Sequence, residues 1–419
     1  MKESSRPKVN TVFTPRSHEV NESMYIRRPD HEKELERAVE GSLHALLCGE
    51  SGSGKSWLYR HVAARNDWAL FYANSSNASR SNSISQAIAQ SVFEEQDKSL
   101  VGYKQALNGN VQLLGLGGGA NAEREFEVCA KDILLRSFSS IRRQAGKRLA
   151  LLVIDNLEAL FGSAALMQEL ANIVLLLDDP AYAKYRVKIL IVGVPTEVVE
   201  YFRRTPNLES VGNRIKEIRA LNSLSGIQVA EFLKRGFSEQ LKVGFAPSDF
   251  KDLVSHVHFV TLGIAERLHE FCEVLGYRLE ESEWRYNGRL LPGCDEGYMR
   301  SSLRLSYAVI NANMNERRTK TGRRNQVLYA LGRVETTTFE TSHIEEILRR
   351  SFPISTRDVR RLGIGQTLSE LTDGLEPLLR KGYRGSSYHF ADPKYLMCIR
   401  VMLYKDDVTE KVSKRTLRR

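Results

Sequence analysis

Cysteine is scarce in this sequence, and that limits the chemistry the chain can hold together. The 419 residues contain five cysteines, Cys48, Cys129, Cys272, Cys294 and Cys398. They are scattered and never at metal-ligand spacing, so neither a disulfide framework nor a zinc site is expected. Long apolar runs are missing too. None approaches the ~20 residues of a membrane-spanning helix, and the opening stretch Met1-Lys2-Glu3-Ser4-Ser5-Arg6-Pro7 lacks the apolar core of a signal peptide. The expectation is a cytoplasmic protein without a membrane partner. What is present is ordinary for a globular chain, with 42% hydrophobic and 27% charged residues over a length that allows roughly two or three domains.

Charge of one sign is in excess. The formal net charge is +10, and its placement matters more than its size. Arg304, Arg317, Arg318, Lys320, Arg323 and Arg324 lie close together against Glu316, and Lys411, Lys414, Arg415, Arg418 and Arg419 crowd the C-terminal end. Clustered positive charge attracts polyanions, nucleic acid first; a solubilising surface with a basic, disordered tail is the competing reading.

The most specific stretch is Leu46-Leu47-Cys48-Gly49-Glu50-Ser51-Gly52-Ser53-Gly54-Lys55-Ser56. It reads as a buried strand entering a loop that fits G-x-x-x-x-G-K-[ST] at every fixed position. Glycine lets successive backbone N–H groups converge on phosphate oxygens at the start of the following helix. Lys55 would reach the outer phosphates and the Ser56 hydroxyl would ligate Mg²⁺. The apolar run before the loop and the helical sequence from Trp57 onward supply the strand and helix this motif requires. A nucleoside triphosphate site, with ATP and Mg²⁺ as cofactors, is therefore expected. Residues 49–56 form its phosphate cradle.

A second landmark is Leu149-Ala150-Leu151-Leu152-Val153-Ile154-Asp155-Asn156-Leu157-Glu158. An apolar strand ending in an acid delivers Asp155 to the edge of a parallel sheet where α/β folds bind ligands, and such an aspartate would hold Mg²⁺ together with Ser56. Residues 68–73 and 187–193 read as further strands, the first expected beside the strand that enters the phosphate loop. Alternating strand and helix predict a doubly wound parallel α/β sheet closing near Ala220. The stretch 77–123 is expected to be a mobile insertion. From Ser223 the pattern is helical, with a polar connection over 280–300; further helices follow, the last over 366–380 with Leu375 inward, then a short hairpin at 382–390. Helices closed by such a hairpin make a winged helix.

With the phosphate loop, the acid-ended strand, a helical lid and a winged helix in this order, residues 25–404 resemble AAA+ and STAND-type ATPases, among them origin-recognition-like initiators and transposition regulators. The resemblance implies a flexible arm over 1–23, an ATPase core over 24–220, a lid and connection over 221–300, a winged-helix domain over 301–405 and a basic tail over 406–419. It places Arg27 and Arg28 near the adenine, Thr196 at a γ-phosphate-sensing position, Arg214 as the finger offered to a neighbouring subunit of a homo-oligomer, and Arg267 as the lid's sensor arginine.

One departure bears on turnover. The family's hydrolytic glutamate usually follows the strand's aspartate directly, where it activates the attacking water. Here that position is Asn156, whose amide can position water and cannot accept its proton. Glu158 could substitute if the strand end curls back. The expected activity is a slow ATPase working as a nucleotide-gated switch. It would bind duplex DNA through basic C-terminal segments and recruit or license a partner in replication, transposition or phage defence. The acidic face Glu370, Asp373 and Glu376 of the last helix keeps a second reading open, a signalling or defence ATPase whose winged helix binds a protein effector.

Overall fold

The computed structural model describes residues 6–93, 133–194, 208–315, 322–336, 338–382 and 386–417. They divide into two compact units, His18–Asn222 and Met1–Ser17 with Ser223–Arg419.

The first unit is built on a five-stranded parallel sheet of β1 (His44–Gly49), β2 (Ala69–Asn74), β3 (Ala150–Asp155), β4 (Val187–Gly193) and β5 (Ile215–Leu221), in the order β2-β3-β4-β1-β5. Strands β1 and β3 are buried at every position, as a parallel sheet covered on both faces requires. Leu46, Leu152, Ile154 and Ile191 face one core. That core is closed by α4 (Ile84–Val92), α5 (Ile133–Ala145) and α6 (Ala164–Leu176) through Ile88, Phe138, Ile141 and Leu170. Leu47, Leu151, Val153 and Leu190 face the other, closed by α1 (Pro29–Glu40) and α2 (Lys55–Arg65) through Leu35, Val39, Leu58 and Val62. Each such side chain, fully buried, stabilises the fold by about 1.5–3 kcal/mol before entropy is counted.

The stretch expected beside the phosphate-loop strand is instead β2, at the sheet's outer edge against β3. The reason lies in its side chains: Leu70, Phe71 and Tyr72 are only half buried, which an edge tolerates and a central strand does not. Of the expected insertion, residues 77–81 belong to α3 (Ser75–Ser81) and 84–92 form α4, both packed on the sheet; the stretch 94–123 lies outside the described residues.

The second unit departs from expectation at both ends. Residues 6–17 are not a free arm. Val9, Val12 and Phe13 are buried, with the Phe13 ring 4.8 Å from Phe237 and 6.0 Å from Phe232, and the Thr14 N–H donates to His269 Nδ1 at 3.1 Å. Three apolar side chains suffice to dock a short segment whose remainder is polar. The helices α7 (Gly226–Leu233), α8 (Pro247–Thr261) and α9 (Ala265–Glu281) are followed by α10 (Leu291–Ser302), which occupies part of the expected polar connection. Pro292 sits in its first turn, where no N–H is needed, and Cys294, Tyr298 and Met299 bury its inner face. Next come α11 (Arg304–Asn313), α12 (Arg323–Leu331), β6 (Thr338–Glu340), α13 (Thr341–Ser351), α14 (Gly365–Glu370), β7 (Leu379–Lys381), β8 (Ser387–Phe390) and α15 (Pro393–Met402). Strands β6, β8 and β7 form an antiparallel sheet with β8 central.

The helix expected over 366–380 stops at Glu370, because Gly374 takes φ 96° and Leu379 already belongs to β7. Leu375, expected inward, is fully exposed. The C-terminal stretch is not a free tail either: β10 (Val412–Lys414) pairs antiparallel with β9 (Leu403–Lys405). Val412 is buried, and the buried Glu410 carboxylate accepts the Ile354 and Ser355 N–H groups at 2.8 Å each. Among the described residues no helix is long and apolar enough to cross a membrane, no acid, histidine and cysteine group could hold a metal ion, and Cys48, Cys272, Cys294 and Cys398 are buried free thiols.

Candidate nucleotide-binding site

The loop from Gly49 to Ser56 leaves the C-terminal end of β1 and enters α2 at Lys55. Two of its turns need glycine, since Gly52 and Gly54 have φ of 80° and 97°. Gly49 is demanded by space: a Cβ there would lie 2.8 Å from Ser53 Oγ and 2.9 Å from the Leu221 carbonyl oxygen. Ser51 is exposed at the loop's crown, while Ser53 is buried with its hydroxyl unpartnered.

Lys55 folds back over this loop and donates to the carbonyls of Gly49 at 2.7 Å and Glu50 at 3.0 Å. Burial pushes its ammonium pKa down, opposed by the negative field of Asp155, Glu158 and Glu50. Burial likewise raises the Glu50 carboxyl, against the pull of Lys55. These carbonyls stand in for the anionic oxygens such a lysine would meet in a triphosphate.

Asp155, 7% exposed, ends β3 and meets the loop from the side. Its Oδ2 lies 3.4 Å from Ser56 Oγ and accepts the Tyr59 hydroxyl at 3.2 Å. The Ser56 distance is longer than a good O–H···O bond, so a hydroxyl and a carboxylate converge there without closing on each other. This hard oxygen pair, beside a cradle that a Cβ would fill, fits a magnesium-bound triphosphate.

Asn156 has φ 59° and begins the turn Leu157–Leu160. Its amide nitrogen donates to Asn74 Oδ1 at 3.1 Å, which also caps α3 by accepting the Ser76 N–H at 2.9 Å. Glu158 is exposed on that turn, and its charge is felt at both Lys55 and Tyr72.

The segment before α1 grips the loop from its other side. Arg28 donates Nη2 to the Ser53 carbonyl at 2.9 Å and Nη1 to the Asn222 carbonyl at 2.5 Å. Arg27 faces Glu32, which is buried and also accepts from the Arg28 N–H at 2.9 Å, Arg65 at 2.9 Å and the Tyr25 hydroxyl at 3.2 Å. Although burial alone would raise it, these donors bring the Glu32 pKa down to about 2.

Not every expected residue joins this site. Arg214 precedes β5 at the opposite end of the sheet, where its carbonyl accepts the His44 N–H at 2.8 Å. A strand of this length separates it from the phosphate loop by roughly 20 Å, and its guanidinium pairs with Asp178 at 2.5 Å and the Ser210 carbonyl at 2.6 Å. Arg267 belongs to the second unit, where it is buried against Glu270 at 2.6 Å and Glu266 at 3.6 Å. Thr196 lies outside the described residues.

Three participants were not foreseen. Tyr59 stands three residues after Ser56, on the same face of α2, a spacing that could have marked it. Glu32 stands one turn after Arg28, but only the fold reveals that Arg65 converges on it. Asn74 is in register with Asp155 across β2 and β3, a pairing that needs the strand order.

The family described as AAA domain matches residues 39–202. No curated protein matches the sequence. Among solved structures, a Walker-type ATPase of Pyrococcus abyssi aligns over 93% of this chain and 99% of its own at 17% identity, with a TM-score of 0.51. The ORC2 protein of Aeropyrum pernix in its ADP form aligns over 93% and 96% at 13% identity, TM-score 0.47. Cdc6p of Pyrobaculum aerophilum aligns over 94% and 96% at 13% identity, TM-score 0.42. The glycine-rich loop entering α2, the acid-ended β3 and the five-stranded parallel sheet are the parts of a P-loop NTPase fold, and the match to the AAA domain family lies over them.

Proposed function

We propose that this protein is a nucleotide-gated switch that grips ATP, hydrolyses it slowly, assembles with copies of itself and binds duplex DNA to recruit or license a partner. The observation that carries the reading is Asn156. It occupies the position after Asp155 with an amide, and that amide is engaged with Asn74. Lys55, the loop N–H groups and Arg28 would hold the nucleotide, Ser56 and Asp155 the Mg²⁺, which when bound neutralises phosphate charge. Glu158 is the carboxylate left to accept a proton from water, with Thr196 and a neighbour's Arg214 completing the γ-phosphate surroundings. Assembly is the expected role of an arginine at the far end of the sheet, which cannot serve its own loop.

The order helix, strand, three helices and hairpin over 323–390, with a short helix Pro353–Thr356 between α13 and α14, supports a winged helix, a common nucleic-acid reader. A protein effector in place of DNA, as in a signalling or defence ATPase, is favoured by one observation: Arg324 pairs with Glu370 at 2.5 Å, so that part of the basic stretch is neutralised within the fold. Arg317, Arg318 and the wing's Arg384 lie outside the described residues.

Equilibrium ATP binding compared with single-turnover hydrolysis tests the chemistry. Lys55→Ala is expected to abolish binding, and Glu158→Gln to slow turnover by about 10²-fold or more while sparing binding. Unchanged turnover in Glu158→Gln would remove Glu158 as the proton acceptor. Rapid turnover in the wild type would remove the switch.

A further inference from the structure

Among the described residues, most of the basic side chains that stand out in the sequence are engaged within the fold. Arg324 also donates to the Asn313 carbonyl at 2.6 Å, Arg415 reaches the buried Asp295 at 2.6 Å, and Lys414 bonds Asn311. A different set stands clear. From the last turn of α13 toward α14, residues 349–361 carry Arg349, Arg350, Arg357, Arg360 and Arg361 with Asp358 as the one acid of that stretch, and all six are exposed.

This turn is braced from three elements. Arg349 donates to the carbonyls of Thr356 at 3.4 Å, Val359 at 3.1 Å and Arg360 at 3.2 Å. Arg323 from α12 donates to the Ser355 carbonyl at 3.2 Å, and Gln326 to the Ser355 hydroxyl at 3.0 Å. The Glu410 carboxylate holds the N–H groups of Ile354 and Ser355. Arg349 therefore shapes the turn, while Arg350, Arg357, Arg360 and Arg361 form no ion pair among the described residues.

Four unpaired guanidinium groups on a fixed backbone are a poor solvated surface and a good polyanion surface. They repel one another when free, and the bracing removes ordering cost from binding. A protein partner would call for a cluster of apolar anchors, whereas this turn exposes one, Ile354. Guanidinium groups match phosphate oxygens bidentately and, spread along a turn, suit a chain of phosphates.

We infer that the arginine turn of residues 349–361 is the surface by which this protein holds duplex DNA, through backbone phosphates and without reading sequence. The inference rests on the DNA reading above and locates it on this turn instead of the wing or the C-terminal strand.

The test is fluorescence titration of labelled duplex DNA with full-length protein and ATP, between about 50 and 200 mM salt. Wild type is compared with a variant carrying Arg350→Gln, Arg357→Gln, Arg360→Gln and Arg361→Gln. Four lost phosphate contacts reduce the salt slope by about 3.6, so the wild type should lose about 150-fold more affinity than the variant across that range. The matching four Arg→Lys changes should keep the slope, two unrelated duplex sequences should bind alike, and ATP affinity should be unchanged throughout. Should the fourfold variant fail to fold, Arg360→Glu and Arg361→Glu singly must each weaken binding. Wild-type slope in the Gln variant overturns this surface and leaves DNA binding standing. No duplex binding by the wild type at low salt overturns both.

Discussion

Replacing Glu32 by glutamine should change the acid stability of the first unit by an amount the geometry sets. Glu32, 1% exposed, accepts from Arg27, Arg65, the Arg28 N–H and the Tyr25 hydroxyl. Its pKa falls from an ordinary 4.5 to about 2. Because the folded value is depressed, the contribution is fully present above the unfolded pKa and disappears as pH falls through the folded one. A difference of this size corresponds to about 3 kcal/mol. Glutamine keeps the shape but turns an N–H₂ toward two guanidinium groups and carries no charge. Urea denaturation of both proteins from pH 7 to pH 3, followed by tryptophan fluorescence, gives the difference between them. It should be about 3 kcal/mol at neutral pH and shrink steadily below pH 4.5. A difference that stays constant across the range would refute the assignment of the stabilisation to this carboxylate.

Two further outcomes follow from the site itself. Gly49→Ala places a methyl 2.9 Å from the Leu221 carbonyl, a backbone atom that cannot swing away, so ATP affinity measured by calorimetry should fall at least about tenfold, a cost of ~1.4 kcal/mol. Tyr59→Phe removes a buried donor to Asp155 and should lower the unfolding free energy by about 1–2 kcal/mol in the same urea assay.

The phosphate loop was legible because its glycines answer to local demands, backbone conformation at 52 and 54 and space at 49, that no distant contact alters. The position of Asp155 was legible for a related reason: a run buried on both faces must be a central strand, and its last residue must sit at the C-terminal edge of the parallel sheet, where the loop after β1 also leaves. Strand order was not, since the edge position of β2 follows from half-buried side chains whose neighbours lie far along the chain. The ends of the chain misled because anchoring there depends on few residues. Val9, Val12 and Phe13 dock one end; Val412 and Glu410 dock the other. Neither set has a period to read. The helix Leu291–Ser302 formed across Pro292, Gly293 and Gly297 because burial of Tyr298 and Met299 outweighs weak propensity.

The parts read separately are joined by Arg28. Its fork holds the carbonyl of Ser53, inside the phosphate loop, and that of Asn222, the last residue of the first unit. Burial lowers its pKa to about 10, which leaves it charged at neutral pH. Glu32 fixes the start of the same residue through its N–H. Any movement of the Ser53 carbonyl must then break one arm of the fork or carry the other with it. Loop conformation and the point where the chain leaves the unit are therefore not independent. The dependence needs a planar guanidinium, because a lysine ammonium at position 28 is a point charge on a flexible stem and fixes neither geometry.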